Sequence, residues 1–212
     1  MITNLMPAMR KPANLRRAEI VVKVIDLADR IGPDRVTTAA VAKAIGVTQA
    51  ALFRHFPTKA DMWGATADHV AETLSQAWAE AMAQEDDPVL RLKSLITAQL
   101  NRIAATPALP MLLFSRELNA ENADLRLAFR NLLTAFHGHI VRAATGAQES
   151  GQLRRDIQAT DIAVLLSSLV QGVAIRWSLG ARGFPLREEG LRLLDIQLHL
   201  LAARKNDPCG NP

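Results

Sequence analysis

Apolar positions recur at spacings of three and four along nearly the whole chain, while alternating β-branched segments are hard to find. That periodicity predicts an all-α fold. Ile20, Val24, Leu27, Ala28 and Ile31 share one face of a helix over residues 16–31, which Gly32-Pro33 ends. Two short helical stretches then flank Gly46-Val47. Thr37 or Thr38 can cap the first and Thr48 the second, because a threonine hydroxyl accepts a hydrogen bond from a free first-turn N–H. Ala42, Ile45, Val47, Leu52 and Phe56 make a small core, leaving Thr48, Gln49, Ala50, Ala51 and Arg54 on the outer face of the second helix. This is a helix-turn-helix, a shape that enters a major groove with the first residues of its second helix leading.

Pro57-Thr58 opens a helix over residues 59–84, with Thr58 and Asp61 spaced as a capping box. Lys59 stands in its first turn against the macrodipole, and a lysine at a helix N-terminus makes an anion site. Asp87-Pro88 opens a helix over residues 89–105. Pro107 and Pro110 interrupt the chain before a shorter helix carrying Met111, Leu112, Leu113 and Phe114. A long helix follows from Asn122-Ala123-Asp124 to residue 149, with Leu125, Phe129, Leu132, Leu133, Phe136 and Ile140 in phase and Gly151 as its stop.

Helices over residues 159–181 and 187–204, joined by Gly183-Phe184-Pro185, are apolar on more than one face. One stripe buries such a helix in its own subunit; a second stripe needs another cover, most economically a second copy of the chain. The expected two-fold, four-helix interface uses Leu165, Leu169, Gly172, Val173, Leu191, Leu194, Leu198 and Leu201. Gly172 costs about 1 kcal/mol relative to Ala in mid-helix, which close helix approach would explain.

The run Val41-Ala42, Gly46-Val47-Thr48, Leu52-Phe53-Arg54-His55-Phe56-Pro57-Thr58-Lys59 resembles the tetracycline-repressor (TetR) family of bacterial transcription regulators. The usual pattern there is Ile-Ala, then Ala-Gly-Val-Ser, then Leu-Tyr-x-His-Phe-x-x-Lys. Phe53 stands where the family usually has Tyr, removing a phenolic hydroxyl from phosphate contact, and Ala39 lies near where some members carry a base-reading Arg. The resemblance implies an N-terminal three-helix helix-turn-helix head plus a C-terminal helical-bundle body for ligand binding and dimerisation. It implies a one-component regulator, in most members a repressor, binding a pseudo-palindromic double-stranded DNA operator as a homodimer and released by a small effector. The implied DNA-facing residues are Thr37, Thr38, Thr48, Gln49, Ala50, Ala51, Phe53, Arg54, His55 and Lys59. The expected division is a basic arm over 1–13, the head over 14–62, the body over 63–205 and a disordered tail over 206–212.

Charge sharpens this picture. Residues 1–62 hold 10 of the 25 Lys and Arg but only 5 of the 21 Asp and Glu. No acid lies between Asp34 and Asp61, whereas Arg35, Lys43, Arg54 and Lys59 do. A basic, acid-free segment on a nearly neutral body is the footprint of a phosphate-binding module.

Other chemistry has little support. The five histidines form no Glu-x-x-His or His-x-x-x-His pair, so no metal site is expected. Ser167 and Ser168 have no nearby His and Asp, and no Gly-rich phosphate loop occurs, so neither catalysis nor a cofactor is expected. Cys209 alone excludes an internal disulfide and fits a reducing cytoplasm. Residues 1–14 lack a secretory apolar core, and the apolar stretch 162–175, broken by Ser167, Ser168 and Gln171, is too short to span a bilayer, so no membrane contact is expected.

The middle helices are expected to hold a mainly apolar effector in a cavity of at least about 300 Å³. Its candidate walls are Trp63, Trp78, Gln99, Arg102, Phe114, Phe129, Phe136, His137, Gln171 and Arg176. Two alternatives stay open: a DNA-binding protein of the same fold without a small-molecule ligand, and a helical enzyme or carrier with a vestigial head. The acid-free basic segment argues against the second.

Overall fold

A computed structural model describes residues 13–203. The arm expected over 1–13 falls almost wholly outside them, as do the tail over 206–212 and Cys209. Among the described residues there are ten α-helices, one 3-10 turn and no β-strand. The head is α1 (Ala13–Ile31), the 3-10 turn Pro33–Arg35, α2 (Thr38–Ala44) and α3 (Gln49–Phe53). Then come α4 (Lys59–Ala83), α5 (Pro88–Ala105), α6 (Leu109–Phe114), α7 (Arg116–Glu121), α8 (Ala123–Glu149), α9 (Ala159–Leu179) and α10 (Leu186–Leu201).

Local chemistry sets these ends. Thr37 Oγ1 accepts from Ala40 N at 3.1 Å and Thr48 Oγ1 from Ala51 N at 3.2 Å, so each short head helix has a capped start. Gly46, at φ +70°, lets Val47 N reach Ala42 O at 3.0 Å and ends α2. At α4, Thr58 and Asp61 form the full capping box, with Asp61 N donating to Thr58 Oγ1 at 3.0 Å and Thr58 N to Asp61 Oδ2 at 2.9 Å. Pro88 occupies the first turn of α5, and Asp87 Oδ1 accepts from Leu90 N at 2.9 Å.

Two expectations about the helices' existence and ends change. Helix α7 was not expected, because only Leu118 of its six residues is buried and one apolar residue gives no period. Helix α10 stops at Leu201, short of residue 204: Arg154 N takes Leu201 O and Ala203 N takes Gln152 O, so the chain turns extended beside Leu153.

In the body, α4, α5, α8, α9 and α10 pack side by side, and α1 lies on α4 and α6. The core runs continuously from Ile20 and Val24 in the head through Trp63, Leu74 and Trp78 to Leu95, Leu100, Ile140 and Leu166. At the α5–α10 crossing Gly190 permits close approach, since a Cβ there would lie 2.6 Å from Leu100 Cδ1. Helix α9 has 21 residues and a mean hydropathy of 1.6, long and apolar enough to cross a membrane by composition, which corrects the length argument above. It is a bundle helix whose inner face, including Ile162, Leu166, Val170 and Trp177, is buried.

Candidate nucleic-acid interface and interior cavity

The outward surface of α3 carries Thr48, Gln49, Ala50, Phe53 and Arg54, all exposed, beside half-buried Ala51 and His55. Thr37 is exposed and Thr38 half-buried at the start of α2. The two helices share a side-chain link: Gln49 Nε2 donates to Thr38 Oγ1 at 2.7 Å. That bond restrains the carboxamide of exposed Gln49 through one of its N–H groups. Beneath, Leu52 and Phe56 are buried and hold α3 against the head core.

Arg17, which sequence reading passed over, closes the far end of α3. Its guanidinium lies 4.3 Å from the Phe56 ring centre and donates to the carbonyl of His55. Nothing in the spacing of Arg17 announced this, because the contact joins residues 38 apart in the chain.

Electrostatics favour an anion on this surface. Among the described residues Arg35, Lys43, Arg54 and Lys59 make no ion pair with a carboxylate. Lys59 is the first residue of α4, where the N–H groups of Lys59 and Ala60 have no partner within the helix. Asp61 Oδ2 accepts from Thr58 N and Oγ1, which ties that carboxylate to the cap.

The expected ligand residues do not converge on one cavity. Gln99, Phe114, Phe136 and Gln171 line a cavity between α5, α6, α8 and α9, together with Ile103, Pro110, Leu113, Leu133, Ser167, Val170 and Ala174. Its volume is about 30 Å³, far below the 300 Å³ class expected from sequence. Trp63, Trp78 and Phe129 are core: they are 0%, 1% and 2% exposed. Trp78 sits behind the wall, donating Nε1–H to Gln99 Oε1 at 2.8 Å and packing 5.1 Å from Phe136. Arg102 belongs to a second cavity, and His137 is half-buried on α8 away from the first. Arg176 lies on the outer surface of α9, pairing with Glu189 at 2.9 Å and stacking 5.0 Å from the Phe184 ring. Ser167 was dismissed as a nucleophile, yet its Oγ is buried without a partner at the cavity wall.

The expected interface set also splits. Val173, Leu194, Leu198 and Leu201 are buried within their own chain at 4%, 0%, 6% and 3% exposure, so they are core. Leu165 and Gly172 are exposed, and Leu169 and Leu191 half-buried. The apolar stripe left bare is Val164, Leu165, Ile175 and Leu179 on α9 with Ile196 and Leu200 on α10. Among the described residues no group of three His, Cys, Asp or Glu side chains is placed to hold a metal.

Residues 25–66 match the model of the bacterial regulatory proteins of the tetR family. They cover the C-terminal end of α1, the helix-turn-helix and the start of α4, the stretch that carries the exposed α3 surface described above. Over this stretch the chain matches the TetR family. It is 26% identical over 164 residues to the nucleoid occlusion factor SlmA of Marinomonas sp., covering 77% of this chain and 83% of that one. With SlmA of Aliivibrio fischeri it shares 33% over 122 residues, 57% of this chain and 61% of the relative's length. A transcriptional regulator from Saccharomonospora viridis, solved in complex with choline, superposes with a TM-score of 0.80 at 21% identity, covering 90% of this chain and 100% of that one, which shows the shared fold. The chain thus carries the helix-turn-helix head of DNA-binding transcriptional regulators of that family.

Proposed function

We propose that the protein binds a pseudo-palindromic operator as a homodimer and acts as a repressor in the cytoplasm. The observation that carries this reading is the α3 surface: an exposed carboxamide restrained by Thr38, in a segment whose cations make no ion pair among the described residues. Gln49 reads a base edge, because an amide can pair bidentately with adenine. Thr38, His55 and Lys59 hold phosphates, and Arg17 fixes the angle of the helix that presents them. The dimer forms through the bare stripe of α9 and α10, with heads spaced by one helical turn of DNA or a multiple of it. On this reading the head spans residues 14–62 and the body 63–205. A mobility-shift assay with DNA from upstream of the protein's own gene tests this: retardation that survives excess unrelated DNA supports it, and equal competition by unrelated DNA rejects it.

An effector, on this reading, is neutral and mainly apolar. It enters by displacing Phe114, which is 38% exposed at the cavity edge, and it offers one hydrogen-bonding group to Ser167 Oγ and Gln171. Choline, the ligand of the Saccharomonospora protein, is a cation, and no carboxylate lines this cavity to balance one.

A second reading is favoured by the small cavity and by the likeness to SlmA: a nucleoid-occlusion role in which DNA, with no small molecule, controls the protein. Thermal-shift screening of neutral apolar metabolites separates the two. A hit whose stabilisation is lost in Ser167→Val supports the effector, and a screen without hits favours control by DNA alone.

A further inference from the structure

The exposed face of α3 is polar at its edges and apolar at its centre. At the helical repeat, Phe53 and Ala50 fall between Gln49 on one side and Arg54 on the other, while Leu52 turns into the head core. Phe53 is 39% exposed, and Ala50 beside it is exposed as well. Neither side chain has a hydrogen-bonding group, so the centre of this face can neither read donors and acceptors nor hold a phosphate.

A single apolar side chain on a surface needs no explanation. The surroundings of Phe53 supply one. Among the described residues Arg35, Lys43, Arg54 and Lys59 make no ion pair, and no acid lies between Asp34 and Asp61. The field around the ring therefore draws in a polyanion. In a major groove the base edges present donors and acceptors, and the one apolar group among the unmodified bases is the C5-methyl of thymine. Set against any other edge, the ring would strip water from polar groups without replacing their hydrogen bonds. Set against the methyl, both partners lose only apolar surface.

Building on the operator reading above, on which this depends, we propose that Phe53 is a specificity-determining residue that reads the C5-methyl of one thymine in each half-site. Ala50 is small enough to let the base edge approach the ring. Phe53 stands four residues after Gln49. That is about 6 Å along the helix, against about 3.4 Å per base step. The thymine thus lies one or two steps from the base that Gln49 reads.

The experiment uses the full chain and DNA amplified from upstream of its own gene, made once with thymidine and once with deoxyuridine in its place. Deoxyuridine pairs as thymidine does and lacks only the methyl. Burying one methyl corresponds to roughly a fourfold change in affinity, so two half-sites give about fifteenfold. Wild type should bind the thymidine DNA tighter by that factor, and Phe53→Ala should bind the two alike. Any change of groove shape falls on both proteins equally, so the difference between them isolates the contact. Amplified DNA contains no 5-methylcytosine, which carries the same methyl, so the preference belongs to thymine. Equal wild-type affinity for the two DNAs, or the same preference in Phe53→Ala, overturns the contact, while retardation that survives unrelated DNA leaves the operator reading standing. Equal competition by unrelated DNA removes that reading and the contact with it. Should Phe53→Ala not fold, single thymidine-to-deoxyuridine changes along the bound sequence decide with wild type alone. A loss confined to one position per half-site supports the contact, and a loss spread evenly over the site overturns it.

Discussion

Ser115 Oγ donates to Asp34 Oδ1 at 2.8 Å, joining the α6–α7 corner of the body to the 3-10 turn of the head across 81 residues of sequence. The same oxygen accepts from Leu118 N at 3.1 Å and so caps α7. Ser115 is 8% exposed, which shields the bond to Leu118 N, while Asp34 itself is exposed. One hydroxyl thus starts a helix and fastens two parts of the fold. A second fastening, Arg182 to Asp29, crosses the same boundary from the α9–α10 loop.

Removing that hydroxyl is therefore expected to cost more than removing its partner. Ser115→Ala loses a helix cap, a change of about 1 kcal/mol, and the link to Asp34 as well. Asp34→Ala loses only the link. Urea denaturation of both variants measures the difference, and equal midpoints would show that the α7 cap contributes nothing.

The bundle contains one crossing with no room for a methyl group. Gly190→Ala would place Cβ 2.6 Å from Leu100 Cδ1, inside a core where Leu100 is fully buried. Overpacking of this kind costs about 1–3 kcal/mol. The double variant Gly190→Ala, Leu100→Ala should be less destabilised than the two single effects summed, because the truncated side chain makes room. Thermal melts of the three proteins give the coupling, and strict additivity would place the strain elsewhere.

Helix α10 is tied to α9 by a charge cluster with a defined pH response. Glu189 accepts from Arg192 Nε at 2.8 Å and from Arg176 Nη2 at 2.9 Å. These bonds, that to Arg192 foremost, hold its carboxyl at about 2, below the ordinary 4.5. A carboxylate lowered on folding contributes stability that is present above about 4.5 and is lost as pH falls toward 2. The stability gap between wild type and Glu189→Gln should accordingly close over that interval. Melts across the range check it; a gap that widens on acidification reverses the sign.

Much of this architecture was legible because local and periodic signals agreed. Thr37, Thr48 and Thr58 cap the helices their positions suggested, and Gly46 takes the positive φ the turn needs. The proposed dimer face was not legible to the residue. Helix α9 is apolar at so many positions that its hydrophobic phase is nearly flat, and sequence alone could not separate inward Val173 from outward Leu165. Tertiary partners such as Arg17 with His55, Gln49 with Thr38 and Ser115 with Asp34 leave no period at all. The cavity fared worst, since a list of large side chains says nothing of the space between them: Trp63 and Trp78 are themselves buried in the core.

On DNA, two substitutions should fail differently. Gln49→Ala removes the exposed amide and should cost about 1–3 kcal/mol while relaxing base preference at one position per half-site. Lys59→Ala should weaken every sequence alike and flatten the salt dependence, as expected for a lost phosphate contact. Fluorescence anisotropy on operator variants at several salt concentrations resolves the two signatures. Wild-type affinity and salt slope in both variants would remove α3 and the α4 N-terminus from the interface.

The last expectation separates the bare stripe of α9 from its buried face. At Gly172 a Cβ meets nothing within 4 Å inside the chain, and the residue is exposed. Its absent side chain therefore serves no contact in the monomer. Leu179 and Leu200 are 75% and 67% exposed in the same region, a loss of solvent shielding that a second copy would repair. Gly172→Leu should keep the helical content and core of the wild type yet dissociate to monomers, and a monomer spans only one half-site. Leu198→Asp differs, because Leu198 is 6% exposed, and an acid there should unfold the bundle before it affects association. Sedimentation of each variant beside its circular dichroism distinguishes the outcomes. A Gly172→Leu protein that stays folded and dimeric would move the interface off α9.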